Sequence, residues 1–131
     1  HYERMVRYRS RDGGRKWTYG EIGSHYVEMY QSLLPFKDGR LLFTFTMRAA
    51  VRPNVPPLGV RAVFGEKTPN GFRFYFRHDR IMLDTKTPKD KLSGGGFGPT
   101  VQLDDGTLVT CYSYHPSDNR FRCEVVRWRL P

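Results

Sequence analysis

Ser10-Arg11-Asp12-Gly13-Gly14-Arg15-Lys16-Trp17 is the stretch that decides the fold. Its spacing is Ser-x-Asp-x-Gly-x-x-Trp, and each residue type suits a tight turn between two strands. Asp12 can bond the backbone N–H groups ahead of it, Gly13 and Gly14 accept positive φ, and Ser10 can fasten the entry to the turn. Trp17 can fold its ring back over the hairpin while its indole N–H finds a partner. The reading predicts one strand over Tyr2 to Ser10 and a returning strand over Trp17 to Ile22.

The same punctuation continues along the chain. Val27 to Phe36 is apolar and aromatic, Lys37-Asp38-Gly39-Arg40 turns, and Leu41 to Arg48 returns. Within that return Leu42, Thr44, Thr46 and Arg48 share one face, and Leu41, Phe43, Phe45 and Met47 the other. Ala49 to Leu58 is a proline-rich connection that does not suit a central strand. Gly59 to Gly65 and Phe72 to Arg77 form a hairpin around Thr68-Pro69-Asn70-Gly71. His78 to Gly96 is the longest irregular segment, and such loops are commonly functional. Phe97 to Leu103, the turn Asp104-Asp105-Gly106, Thr107 to Tyr114 and a last strand, Phe121 to Leu130, complete the chain.

Residues 33–42 and 100–109 echo one another as apolar strand, Asp-Gly turn, apolar strand. A repeat of four-stranded antiparallel units predicts an all-β chain that is part of a β-propeller. The expected division is a half blade over 1–22, a full blade over 27–77 and most of a blade over 97–130. Such rings close with about four to eight blades, so about two and a half cannot close one. The remaining blades are expected from a longer parent chain, or from other copies of this one.

Composition narrows the partners. The 131 residues carry a formal charge of +9, with Arg in excess of Lys. That predicts an anionic partner, and Arg suits bidentate recognition of carboxylates. No segment is apolar for long enough to span a bilayer as a helix. No His/Cys spacing suggests a metal site, and no glycine-rich phosphate loop or Ser-His-Asp set stands out, so neither metal nor cofactor is expected. Nucleic acid ranks last among anionic partners, because alternating basic and aromatic residues such as Arg73 to Arg77 belong to any basic strand. Cys111 and Cys123 would face each other if their hairpin centres on Ser117, either as thiols, the favoured reading, or as a cross-strand disulfide.

The 10–17 motif resembles the Asp-box of sialidases and related β-propellers. Ser10, Asp12, Gly14 and Trp17 would be its structural residues. At 68–71 a degenerate copy keeps Gly71 and Phe74 at the Gly and Trp places but has Lys67 and Pro69 for Ser and Asp. Asp38-Gly39-Arg40-Leu41-Leu42 through Arg48, Gly59 to Val63, Gly96 to Thr110 and Val126 to Leu130 are similar, in that order, to successive segments of the same family. The resemblance places the boxes and Asp-Gly turns on one end of the sheets. Gly23 to Tyr26, Ala49 to Leu58, His78 to Gly96 and His115 to Asn119 fall at the other end, where a ligand would bind.

In sialidases an arginine triad grips a substrate carboxylate, a Tyr assisted by a Glu is the nucleophile, and an Asp is the acid/base. The resemblance implies a sialidase-like glycoside hydrolase of the exo-alpha type, or a fragment of one, acting on an anionic or polar glycan if the missing blades are supplied. Arg48 best matches a triad position; Arg52 and Arg61 are weaker matches, read as structural or solvated. His78 could bond sugar hydroxyls. Phe97 stands where the family has its Tyr and cannot attack a sugar carbon. Tyr112 and Tyr114 are the remaining phenols nearby, better suited to packing. Asp79 and Asp84 are read as solvated loop carboxylates. The alternative is a non-catalytic propeller that binds glycans or proteins and has lost the nucleophile. The resemblance favours a secreted or periplasmic protein.

Overall fold

A computed structural model describes residues 4–22, 28–47, 59–76, 81–84, 96, 98–114, 116, 118 and 120–130. Among them the chain is all-β: ten strands, every pairing antiparallel, and no helix. None of the described residues forms a helix long and apolar enough to cross a membrane.

The strands make three sheets in chain order. β1 (Val6–Arg9) and β2 (Thr18–Glu21) form a hairpin. β3 (Glu28–Pro35), β4 (Leu41–Met47) and β5 (Gly59–Thr68) form a meander. β6 (Gly71–Phe74) and β7 (Ile81–Met82) then share the free edge of β5, at Gly65–Thr68 and at Arg61–Ala62 respectively. β8 (Thr100–Gln102), β9 (Leu108–Tyr114) and β10 (Arg122–Trp128) form the third sheet.

Local chemistry explains the turns. In the first, Asp12 Oδ1 accepts from the backbone N–H of Arg15 (3.1 Å) and Lys16 (2.9 Å) and from Ser10 Oγ (2.9 Å). Gly14 N donates to Ser10 Oγ at 2.7 Å, and Trp17 Nε1 donates to Gly14 O at 2.9 Å. Gly13 and Gly14 take φ of 70° and 91°, which a side chain would resist. The Asp-Gly turns share one pattern. Gly39 N donates to Phe36 O and Phe36 N to Arg40 O; Gly106 N donates to Leu103 O and Leu103 N to Thr107 O.

These bonds hold the Asp12 carboxyl below its ordinary 3.8, first through the Lys16 N–H and then through Ser10. A depressed carboxyl contributes stability above the unfolded value and loses it as pH falls through the folded one. Between about pH 5 and about pH 2.5 the wild-type thermal midpoint should therefore fall further than that of Asp12→Asn. Equal falls would remove Asp12 from the acid response.

The middle sheet is buried on both faces. Phe36, Leu42, Val60, Ala62 and Leu83 meet Leu108, Tyr112 and Tyr114 of the third sheet. On the opposite face Phe43, Phe45, Val63 and Phe76 meet Met5, with Ile22 alongside. β4 alternates in sequence, yet Leu42 to Met47 are all buried because each face has a neighbouring sheet. Thr100 and Thr110 pair through their hydroxyls at 2.7 Å in the third sheet, where Trp128 Nε1 donates to Thr110 Oγ1.

Two expectations are corrected. β7 pairs with β5 inside the segment expected to be irregular, because two residues suffice to cover the open edge of β5. The cysteines do not face each other: Cys111 lies opposite Val125 and Cys123 opposite Ser113, and both are exposed and free. The hairpin centres on Asp118, whose Oδ1 accepts from Arg120 N and whose Oδ2 pairs with Arg122, rather than on Ser117.

Candidate functional site

The end of the sheets opposite the Asp-Gly turns gathers buried polar side chains. β4 reaches it at Met47, β5 leaves it at Gly59, and β9 reaches it at Tyr114. Arg61 is 1% exposed, Asp84 2%, Tyr112 3% and Tyr114 9%. Charged and phenolic groups are seldom buried so fully without a specific partner or task.

Asp84 is fixed by its backbone. Its N–H and that of Leu83 both donate to Val60 O, at 3.1 and 3.0 Å, which brings the carboxylate over Gly59. This corrects the solvated reading of Asp84. The short strand β7 turns the chain inward immediately before it.

Tyr112 lies opposite Glu124 in the β9–β10 ladder. Its phenol pKa is pushed up to about 12, first by burial and then by the charges of Asp84 and Glu124. At neutral pH the group is a protonated donor. It has no proton to lose without a strong base, so Tyr112 as it stands is suited to hydrogen bonding. Tyr112 and Tyr114 also pack in the core, with ring centroids 6.5 Å apart.

Tyr30 adds strain beside this cluster. Its φ is 59°, uncommon for a bulky residue, at a bulge between Met29 and Ser32 of β3. A Cβ at Gly96 would stand 3.3 Å from the Tyr30 ring and 3.5 Å from Thr46 Cγ2. Ser113 holds Gly96 there: its N–H donates to Gly96 O at 3.0 Å, and its Oγ accepts from Gly96 N at 3.0 Å. The hydroxyls of Thr44 and Thr46 are buried and find no partner among the described residues.

Of the residues the sequence nominated, Arg61, Tyr112 and Tyr114 lie toward this end. Arg61 is not solvated; it sits in β5 opposite Phe45 of β4. Ser10, Asp12, Gly14 and Trp17 are in the first turn, away from it. Arg48, Arg52, His78 and Phe97 lie outside the described residues, as do His25, His115 and Asp79. Tyr30 was not nominated, since nothing in an apolar strand signals a bulge at that position.

No group of three or more His, Cys, Asp or Glu side chains comes together among the described residues. Arg61 belongs to the Phe45 face of the middle sheet, whereas Tyr112 and Tyr114 pack on the opposite face with Val60 and Ala62. What stands together at this end is the neutral phenol of Tyr112, a donor, and the carboxylates of Asp84 and Glu124, which accept. The chain matches no protein-family model, no curated protein and no solved structure.

Proposed function

We propose that the chain is part of a sialidase-like β-propeller that binds an anionic or polar glycan at the end of the sheets remote from its Asp-Gly turns, without hydrolysing it. The observation that carries the reading is the burial of Asp84, Tyr112 and Tyr114 toward that one end, with the Asp84 charge acting on the Tyr112 phenol. A phenol donor beside carboxylate acceptors suits the hydroxyls of a sugar, and the excess of Arg in the chain suits its acid group. Support for the wheel comes from a middle sheet packed on both faces. Val6, Tyr8 and Tyr19 on one flank, and Val101 and Val125 on the other, remain exposed where further blades would cover them. The protonated phenol of Tyr112 and the Phe at position 97 favour binding over catalysis.

A hydrolase is the second reading. It is favoured by the two carboxylates, Asp84 and Glu124, that act electrostatically on Tyr112. A base close to a phenol is the arrangement that a tyrosine nucleophile requires. One experiment separates the two. The protein is incubated with a fluorogenic sialoside, and in parallel applied to a glycan array. The expected result is retention of acidic glycans with no release of fluorophore. Turnover that disappears in Tyr112→Phe would establish the hydrolase instead. Neither binding nor turnover would reject both.

A further inference from the structure

At the opposite end, the first hairpin and the β5–β6 turn meet along a seam lined by arginines. Arg7 and Arg9 project from the face of β1 that turns toward the middle sheet, and Arg11 follows where the strand ends. Arg7 Nη1 donates to Phe72 O at 3.5 Å, and Arg11 Nη2 to Asn70 Oδ1 at 3.3 Å. The Arg9 guanidinium lies against Gly71, where an added Cβ would stand 3.4 Å from its Nη1. Three guanidiniums thus track three consecutive residues of the facing turn. Arg7 and Arg9 alternate along β1 and Arg11 follows just past its end, so the three cations lie in succession along the seam.

Arg7 also lines an open groove of about 380 Å³ together with Asn70, Arg73 and Glu21. No carboxylate among the described residues pairs with Arg7, Arg9 or Arg11. Asp12 is bonded within its own turn, Glu66 accepts from the Tyr75 hydroxyl, and Glu21, which lines the groove, stands 3.8 Å from Arg4. Each guanidinium has donors to spare, and their fork geometry fits sulfate or carboxylate.

We propose that this seam binds a linear polyanionic polysaccharide carrying sulfate or carboxylate groups along its length. The site is separate from the one at the other end and stands whether or not that one binds a sugar. A polysaccharide fits better than a nucleic-acid strand because bases need open aromatic platforms. The exposed rings do not share the arginine face: Tyr8 and Tyr19 meet edge to face at 5.8 Å on the hairpin's outer side, and the Trp17 indole donates to Gly14 O.

The test measures binding of a heparin decasaccharide across a range of salt concentrations. The variant R7Q/R9Q/R11Q should lower the slope of log affinity against log salt by about three, about one for each guanidinium removed. The charge-matched variant K37Q/R120Q/R127Q should leave that slope near the wild-type value. Equal losses in the two variants would overturn the proposal, because the effect would then belong to net charge. A twenty-residue oligothymidine that binds as tightly and displaces the heparin would overturn it in favour of nucleic acid. Should the triple variant lose its fold by circular dichroism, R9Q alone decides. The Arg9 guanidinium donates no hydrogen bond among the described residues, and the Arg9 carbonyl that accepts from Thr18 is unchanged by the substitution. R9Q should therefore be structurally silent yet lower the slope by about one, and an unchanged slope would overturn the proposal.

Discussion

Gly59→Ala is expected to destabilise the protein by about 3 kcal/mol, the sum of backbone strain and steric overpacking. Gly59 has φ of 113°, a region that residues with a Cβ rarely enter. A methyl there would stand 2.5 Å from Asp84 Oδ2, 2.7 Å from its Cβ and 2.8 Å from its Cγ. Asp84 cannot swing aside at low cost, since it is 2% exposed and its backbone N–H is bonded to Val60 O. Urea denaturation of Gly59→Ala, Asp84→Ala and the double variant would separate the two contributions. The collision should appear as a favourable coupling of at least about 1 kcal/mol in the double variant, with the φ strain persisting. Simple additivity would mean that Asp84 yields freely, and the buried cluster would lose its rigid carboxylate. A second readout bears on the site. Pushing Asp84 away from Tyr112 removes one of the charges that hold the phenol protonated, so its titration, followed by phenolate absorbance, should move downward from about 12. Burial, the larger cause, keeps it above the ordinary value.

The contrast between Asp12 and Asp84 shows what was legible in the sequence. Asp12, Ser10, Gly14 and Trp17 lie within eight consecutive residues, and their bonds close among themselves. Chemistry that local can be read from spacing. So can the Asp-Gly turns, whose two backbone bonds at Phe36 and Gly39 recur at Leu103 and Gly106. The all-β character follows from those turns and the alternation between them. Asp84 is different. Its burial depends on β7 pairing with β5 some twenty residues earlier, and two residues carry no periodicity to announce that pairing. The register of β9 against β10 was equally hidden, because moving the turn centre from Ser117 to Asp118 separates Cys111 from Cys123. The arginine seam spans two sheets: Arg7, Arg9 and Arg11 alternate visibly in sequence, but their partners at 70–72 could not be read from the spacing.

The second large effect concerns how the first hairpin is held. Phe76 is 1% exposed and meets Phe43 at 5.3 Å, Phe45 at 5.4 Å and Phe74 at 5.7 Å between ring centroids. Two of these contacts are edge to face, the geometry in which ring quadrupoles attract. Met5 and Ile22, which flank the open end of the hairpin, rest on the same cluster. Phe76→Ala should cost about 3 to 5 kcal/mol, from lost burial and the cavity left behind. Phe76→Leu, which keeps most of the volume, should recover much of that loss. The loss should also be unevenly distributed. β1 and β2 make one ladder with each other and reach the rest of the described chain through this cluster and the arginine bonds to the 70–72 turn. A cavity beneath Met5 and Ile22 removes the apolar part of that attachment. Hydrogen exchange in Phe76→Ala should therefore show the amides of β1 and β2 opening before those of β4 and β5. If all the sheets open together, the hairpin is bound as firmly as the sheet it rests on. In that case the Phe76 ring contributes to the whole stack alike, and the arginine seam must carry more of the attachment than its two long hydrogen bonds suggest.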